Sequence, residues 1–318
     1  MITVENLVKT FGSKTAVDDI SFHVNAGETI VLLGTSGCGK TTTLRMINRL
    51  LEVSAGKIFI NGKNIKDVLP EELRRSIGYV LQHNGLFPHY TVAENIAIVP
   101  ELLRWPKEKI ILRTGELLEQ LHVTPDYLSM YPHQLSGGQQ QRIGLARALA
   151  ADPPVLLMDE PFGALDAVTR SVITHEFSSL EVLKNKTIIL VTHDVREAFD
   201  LGDKILLMDR GKIVQEGTPT DLLFRPAKDF VTAFFAEQRL QLELNAVHLK
   251  KIWPYLQTTN DAKEEIKISD EINIWNVLQL LSKSKKSVTA RNSSGEARMI
   301  NYDSLFTAFD KYKRQLYE

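Results

Sequence analysis

The chain has 318 residues, 43% of them hydrophobic, enough for a sizeable core and more than one domain. Its 38 lysines and arginines meet 39 acids for a net charge of −1, which argues against nucleic acid or an acidic polymer as the main partner. One cysteine, Cys38, excludes an internal disulfide and fits a reducing compartment. The N-terminal run MITVENLVKTFG lacks the apolar stretch of a secretory signal, and no segment offers about eighteen uncharged apolar residues. The expectation is a soluble, cytoplasmic protein that reaches a membrane only through a partner.

In chain order, ITVENLVKTF and AVDDISFHV alternate apolar and polar positions on either side of Gly12-Ser13, which predicts β-structure. TIVLL at 29–33 is continuously apolar and rich in β-branched residues, as expected of a strand buried on both faces. A glycine-rich loop follows, and TTTLRMINRLL then has helical spacing. GKIFINGKNI reads as a hairpin with Asn61-Gly62 at its turn. Residues 92–150 are helix-rich: ENIAIVPELL, then KEKIILRTGELLEQLHV, then the stretch from Ser136. Strands return at 155–158, 187–192 and 204–208 with helices between them, the pattern of an α/β parallel sheet. Near 240 lysines and asparagines rise, so a domain boundary falls within 236–245 and is set at 238/239.

The loop GTSGCGKT at 34–41 carries the first chemistry. Gly34, Gly37 and Gly39 let the backbone curl so that successive N–H groups point inward at phosphate oxygens. Thr35, Ser36, Cys38 and Thr42 complete the phosphate-holding run 34–42, and the following helix adds its positive end. Lys40 supplies charge to the β- and γ-phosphates, and the Thr41 hydroxyl is placed to ligate Mg²⁺. These marks name ATP and Mg²⁺ as the cofactors. Cys38 stands alone without ligand partners and is no metal site, although its place near a helix N-terminus leaves a depressed thiol pKa open. Its alkylation would block ATP.

VLLMDE at 155–160 ends a hydrophobic strand in two acids. Asp159 sits where a carboxylate holds Mg²⁺, and Glu160, pointing elsewhere, is placed to polarise the attacking water as general base. Taken alone, the pair also reads as solvated acids at a strand end. LSGGQ at 135–139 puts Ser136, Gly137 and Gly138 just before a strong helix sequence, with Ser136 as its N-cap. That is either an ordinary capped helix or a second anion site. One compact domain has no evident use for two γ-phosphate sites. A head-to-tail pair does, because each copy's Ser136 loop closes on the nucleotide held by the other's Lys40.

With these marks in this order, residues 1–235 resemble the nucleotide-binding subunits of ABC transporters. The resemblance implies a P-loop NTPase fold of the ABC type: a parallel core sheet, an N-terminal antiparallel β part, and an inserted helical subdomain at about 84–153. GTSGCGKT looks like the Walker A loop, LSGGQQQR the signature with Gln139, and VLLMDE the Walker B strand. It further implies that Gln82 meets Mg²⁺ and the water, that Asp166 of ALD faces the partner's site, and that His193 touches the γ-phosphate. Phe11 stands where the family usually places a tyrosine against adenine, and stacking needs only the ring. Taken alone, His193 reads as a satisfied surface or core histidine. The implied catalytic set is Glu160, His193, Gln82 and Lys40, with Thr41, Gln82 and Asp159 at the metal.

HNGLFPHYTVAENIAIVPELLRW, after Gln82, resembles the ATPases of glycine betaine, choline and carnitine importers. The implied partners are a second copy, integral membrane permease subunits and, indirectly, a solute-binding protein, with no nucleic acid. The place of work is the cytoplasmic face of the cell membrane. Leu86, Phe87 and Tyr90 read either as a permease contact patch or as subdomain core. Trp105, Trp253 and Trp275 say nothing about a quaternary ammonium solute, which a separate binding protein would cage.

Residues 239–318 form a small α+β accessory domain in this reading. INIWNVLQLLSK, SVTARN, ARMINY and DSLFTAFDKYKRQL predict helix, strand, strand and helix, an order similar to half of a cystathionine-β-synthase-like (CBS-like) module. The tail either senses a signal through such a module or only supports dimerisation. Lys283, Lys285 and Lys286 form either a contact for anionic lipid or a solvated face. An amino-acid or methionine importer ATPase is the rival assignment within transporters. ATPases of DNA maintenance would carry coiled coils or zinc modules between the P-loop and the signature, and translation-factor ATPases two cassettes and a basic linker.

Overall fold

The computed structural model describes residues 1–82, 85–163, 165–257, 267–284 and 287–317. His83, Asn84, Ala164, Lys285 and Lys286, which the sequence reading touches, lie outside the described residues. Packing divides the chain into two units, Met1–Glu216 and Gly217–Glu318.

The first unit opens with β1 (Ile2–Phe11) and β2 (Lys14–Val24), paired antiparallel. The buried strand β3 (Thr29–Gly34) runs into the glycine loop and α1 (Lys40–Ile47). The helix stops earlier than its spacing predicts because Arg49 takes a left-handed φ of 49°. Its guanidinium then donates to the Ile65 and Val68 carbonyls. The hairpin β4 (Ala55–Ile60) and β5 (Lys63–Asn64) turns at Asn61-Gly62, with φ of 52° and 75°. Then come α2 (Pro70–Arg75), β6 (Ile77–Val80), α3 (Val92–Leu102), α4 (Lys107–Gln120) and α5 (Gly137–Leu149). The unit continues with β7 (Val155–Asp159), α6 (Ala167–Ser178), β8 (Thr187–Thr192), α7 (Val195–Leu201), β9 (Lys204–Asp209) and β10 (Lys212–Gly217).

These strands make two sheets, β2-β1-β4-β5 and β10-β9-β3-β8-β7-β6. In the second, β3 pairs parallel with β8 and β9, and β7 pairs parallel with β6 and β8. One buried cluster joins both sheets through α1, from Ile2 and Val24 through Leu44 and Ile47 to Leu157 and Leu206. Strands buried on both faces explain why TIVLL, VLLM and IILV carry no polar alternation.

The second unit contains α8 (Pro219–Phe224), α9 (Asp229–Phe235), α10 (Arg239–Ala246), α11 (Leu249–Ile252), β11 (Lys267–Ser269), α12 (Ile274–Ser284), β12 (Val288–Arg291), β13 (Ala297–Ile300) and α13 (Tyr302–Tyr317). Its sheet has β11 parallel to β12 and β12 antiparallel to β13. The motifs end near 238, but the packing divides earlier for a definite reason. Leu222, Leu223 and Phe224 are buried, Arg239 donates to the Leu223 carbonyl at 2.9 Å, and the Phe224 and Tyr312 rings meet at 6.5 Å. These contacts tie α8 to α10 and α13. Lys283 is exposed.

Asn95 on α3 is fully buried and locks the loop that follows Gln82. Its Oδ1 accepts from the Phe87 N–H at 2.9 Å, and its Nδ2 donates to the carbonyls of Phe87, Tyr90 and Thr91 at 3.2, 3.2 and 3.0 Å. Replacing it takes this partner from the Phe87 N–H and the Tyr90 carbonyl, while the Phe87 and Thr91 carbonyls keep the N–H groups of Tyr90 and residue 95. Asn95→Leu is therefore expected to lower the unfolding free energy by about 1–3 kcal/mol in chemical denaturation, and an unchanged midpoint would contradict this.

Candidate functional site

The register of the parallel sheet brings the chemistry together. Leu33 pairs with Thr192 and Asp159 with Val191, so the glycine loop, the two acids and His193 all leave the same ends of adjacent strands. This is where open α/β sheets bind ligands. A cleft of about 640 Å³ lies there, lined by Phe11, Ser36, Gly37, Gly39, Lys40, Thr41, Thr42, Gln82, Glu160 and His193 among others.

The loop itself is tightly built. A Cβ at Gly34 would lie 2.1 Å from the Met208 carbonyl oxygen, and one at Gly39, whose φ is 109°, would lie 2.6 Å from the Ala16 oxygen. No side chain fits at either position. Lys40 is only 5% exposed, and its Nζ donates to the Gly34 and Thr35 carbonyls at 2.8 and 2.9 Å. Its third N–H donates to Cys38 Sγ at 3.8 Å, a weak acceptor that a phosphate oxygen would displace. Gly34 and Cys38 sit behind the cleft wall, and Thr35 contributes through its carbonyl. Cys38 is buried, and burial pushes its thiol up, opposed by Lys40. The open alternative of a depressed, reactive thiolate is thus corrected: desolvation outweighs the loop's positive field.

Thr41 Oγ1 donates to Asp159 Oδ1 at 2.7 Å. Burial holds the Asp159 carboxyl above its usual range, against the Thr41 hydrogen bond and the charges of Arg45 and Lys40. Glu160 takes a left-handed φ of 45°, and its N–H donates to the Val191 carbonyl at 2.9 Å. A non-glycine residue in that conformation is a strained position of the kind that clusters at functional sites. The turn aims the carboxylate into the cleft. There, Oε2 accepts from Gln82 Nε2 at 3.1 Å and lies 3.2 Å from His193 Nδ1. Phe11 stands at the rim, 49% exposed, with Lys9 Nζ 5.0 Å from its ring centre.

A second cleft, also about 640 Å³, is lined by Ser136, Gly137, Gly138, Gln139, Leu165 and Asp166 among others. Ser136 caps α5 through a reciprocal pair: its Oγ accepts from the Gln139 N–H at 3.4 Å, and its own N–H donates to Gln139 Oε1 at 2.7 Å. Asp166 Oδ1 accepts from the Thr169 N–H at 3.0 Å. The far end of α5 reaches the other cleft's loop, where Arg147 donates to the Gly85 carbonyl at 2.7 Å. Beside it, Phe87 and Tyr90 are exposed and their rings lie 5.5 Å apart, while Leu86 is half-buried.

The sequence reading overlooked Lys14 and Ala16 in the first cleft, and Tyr127, Arg142 and Thr169 in the second. Lys14 and Ala16 follow a two-residue turn whose reach no periodicity reports. Glu197 was overlooked as well. It is 3% exposed and accepts from Thr192 Oγ1 at 2.6 Å, and burial pushes its carboxyl up to about 7, with Asp194 raising it and Arg170 and His193 lowering it. An acid raised on folding stabilises most below its unfolded value of 4.5, and that contribution is lost as pH rises toward about 7. The melting temperature of Glu197→Gln, relative to wild type, should therefore rise across that window. A constant difference would refute the buried, raised carboxyl.

Among the described residues no helix is long and apolar enough to cross a membrane. A family model for the ABC transporter matches residues 17–163. The chain is 55% identical over 241 residues to the choline transport ATP-binding protein OpuBA of Bacillus subtilis (strain 168), covering 76% of this chain and 63% of that protein. It is 46% identical over 280 residues to the glycine betaine uptake system ATP-binding protein YehX of Escherichia coli (strain K12), covering 88% of this chain and 90% of that protein. A solved dimeric ATP-binding cassette, in a post-hydrolysis state bound to ADP and Pi, matches with a TM-score of 0.61 at 32% identity, over 69% of this chain and 98% of its own. The cleft geometry, the family model and the nearly full-length match to the glycine betaine relative agree: the chain belongs to the ATP-binding proteins of ABC transporters.

Proposed function

We propose that this chain is the ATP-hydrolysing subunit of an importer for glycine betaine or a related quaternary ammonium osmolyte. It acts as a head-to-tail pair beneath a membrane permease, on the cytoplasmic face of the membrane. The observation that carries the reading is the presence of two clefts of about 640 Å³ in one unit, with complementary contents. One has the lysine, the hydroxyl and the acids; the other has a glycine-rich helix N-terminus. The names of the choline and glycine betaine relatives support the solute class.

In this mechanism the Phe11 ring stacks on adenine and the amides of 34–42 hold the phosphates. Lys40, anchored by two carbonyls, exchanges its weak third contact with the Cys38 sulfur for the β- and γ-oxygens and offers them its charge. The Thr41 hydroxyl and Asp159 carboxylate, 2.7 Å apart, together with Gln82, form a hard oxygen donor set that fits Mg²⁺. When bound there, Mg²⁺ would supply positive charge that offsets the charge of the phosphates. Glu160, its Oε2 held by Gln82, orients the attacking water and takes its proton, while His193, 3.2 Å from that oxygen, touches the γ-phosphate. The γ-phosphate is completed by Ser136–Gly138 of the second copy, at the positive end of α5. Closure moves the loop after Gln82, where exposed Phe87 and Tyr90 offer the permease an apolar contact.

The C-terminal domain, 239–318 in the motif reading, is proposed as half of a CBS-like module. The run β11, α12, β12, β13, α13 supports that reading.

The test is the native complex, co-purified and reconstituted, with ATP turnover measured with and without solute. Glycine betaine, choline or carnitine should stimulate turnover and methionine should not; stimulation by methionine alone would reassign the importer. In the same complex Glu160→Gln should bind ATP normally and lose roughly 10²–10⁴-fold in turnover. Near-normal hydrolysis would remove Glu160 from the base role.

A further inference from the structure

Arg170 lies on α6, four residues past Asp166, and lines neither cleft. Its guanidinium nonetheless reaches the walls of both. Nη2 donates to the Leu165 carbonyl at 2.9 Å, in the loop that carries Asp166. Nη1 donates to Asp194 Oδ2 at 3.0 Å, directly after His193. Nε lies 3.7 Å from Glu197 Oε1 and has no hydrogen-bond partner of its own.

The turn around His193 is wired to those two acids. Asp194 Oδ1 accepts from the N–H groups of Arg196 and Glu197 at 2.8 and 3.3 Å. The Asp194 N–H donates to Thr192 Oγ1 at 2.9 Å, and that hydroxyl donates to Glu197 Oε2 at 2.6 Å. Both neighbours of His193 are therefore held by side chains that converge on Arg170. On the other side, Leu165 and Asp166 line the Ser136 cleft. A flat guanidinium fork can hold a carbonyl and a carboxylate in one fixed plane, which a lysine cannot.

We propose that Arg170 is a positioning residue that couples the two clefts. A phosphate brought by the second copy against Ser136–Gly138 and Asp166 shifts the Leu165 carbonyl, and Arg170 carries that shift to the turn bearing His193. The inference rests on the head-to-tail reading above. It adds the side chain through which occupancy of one cleft reaches the catalytic group of the other.

The test compares full-length wild type, Arg170→Ala and Arg170→Lys in MgATP hydrolysis, binding of a fluorescent ATP analogue, and thermal melting. Wild type should hydrolyse with a Hill coefficient approaching about 2, the number of sites in a pair. Arg170→Ala should keep analogue affinity within about twofold, lose roughly 10-fold in kcat, and fall to a Hill coefficient of about 1. Arg170→Lys should recover melting temperature but not cooperativity, because the charge returns without the fork. Wild-type kcat and cooperativity in Arg170→Ala would overturn the coupling alone. So would parallel loss of affinity and stability in Arg170→Ala with full recovery in the lysine variant, since that pattern marks a mere anchor. If Arg170→Ala does not fold, Arg170→Lys decides: loss of cooperativity supports the coupling, and retention overturns it. A wild-type chain that never hydrolyses MgATP would instead overturn the functional reading, and the coupling with it.

Discussion

The parallel register of β3, β8 and β7 sets the other distances in the first cleft. Pairing Leu33 with Thr192 and Asp159 with Val191 puts a glycine loop, two acids and a histidine at one sheet edge. A one-residue slip would turn every side chain to the other face of the sheet and carry these groups out of register with one another. At the end of β7 the Glu160 N–H is held by the Val191 carbonyl, and the chain leaves the strand with a left-handed φ of 45°.

Charges this close to a core need partners, and the structure supplies them with backbone and side-chain oxygens. Lys40 rests on two loop carbonyls, Asp159 on the Thr41 hydroxyl, and Glu197 on the Thr192 hydroxyl and the nearby Arg170. Each arrangement keeps a charged or polar group buried without leaving it unpaired. Of these groups, Lys40 and Thr41 line the first cleft, where a nucleotide's phosphates would lie, whereas Glu197 and Arg170 stay behind its wall.

Much of the site was legible because its residues are adjacent in sequence. GTSGCGKT and VLLMDE carry their strand-loop-helix context with them, so Lys40, Thr41, Asp159 and Glu160 could be placed before any fold was known. Ser136 was legible as a helix cap for the same local reason. Gln82 and His193 were assigned only by resemblance, because what brings them to Glu160 is strand order, which no local pattern encodes. Lys14, Arg170 and Glu197 escaped for the converse reason: their partners lie in other elements, and a lone arginine on a helix looks like any solvated one. Cys38 shows how a local rule can mislead, since a helix N-terminus suggests an activated thiol while burial behind the loop reverses the sign. The end of the first unit was blurred because α8 and α9 follow the parallel strands without a break in composition, yet α8 packs with α10 and α13.

The central claim is that a working centre needs two chains. Subunits carrying Lys40→Ala are mixed with subunits carrying Ser136→Arg, after each has been assayed alone. The account predicts that each variant is inert by itself and that the mixture hydrolyses ATP, because one heterodimer interface keeps an intact Lys40 loop facing an intact Ser136 loop. An inert mixture, or full turnover by either variant alone, would contradict it.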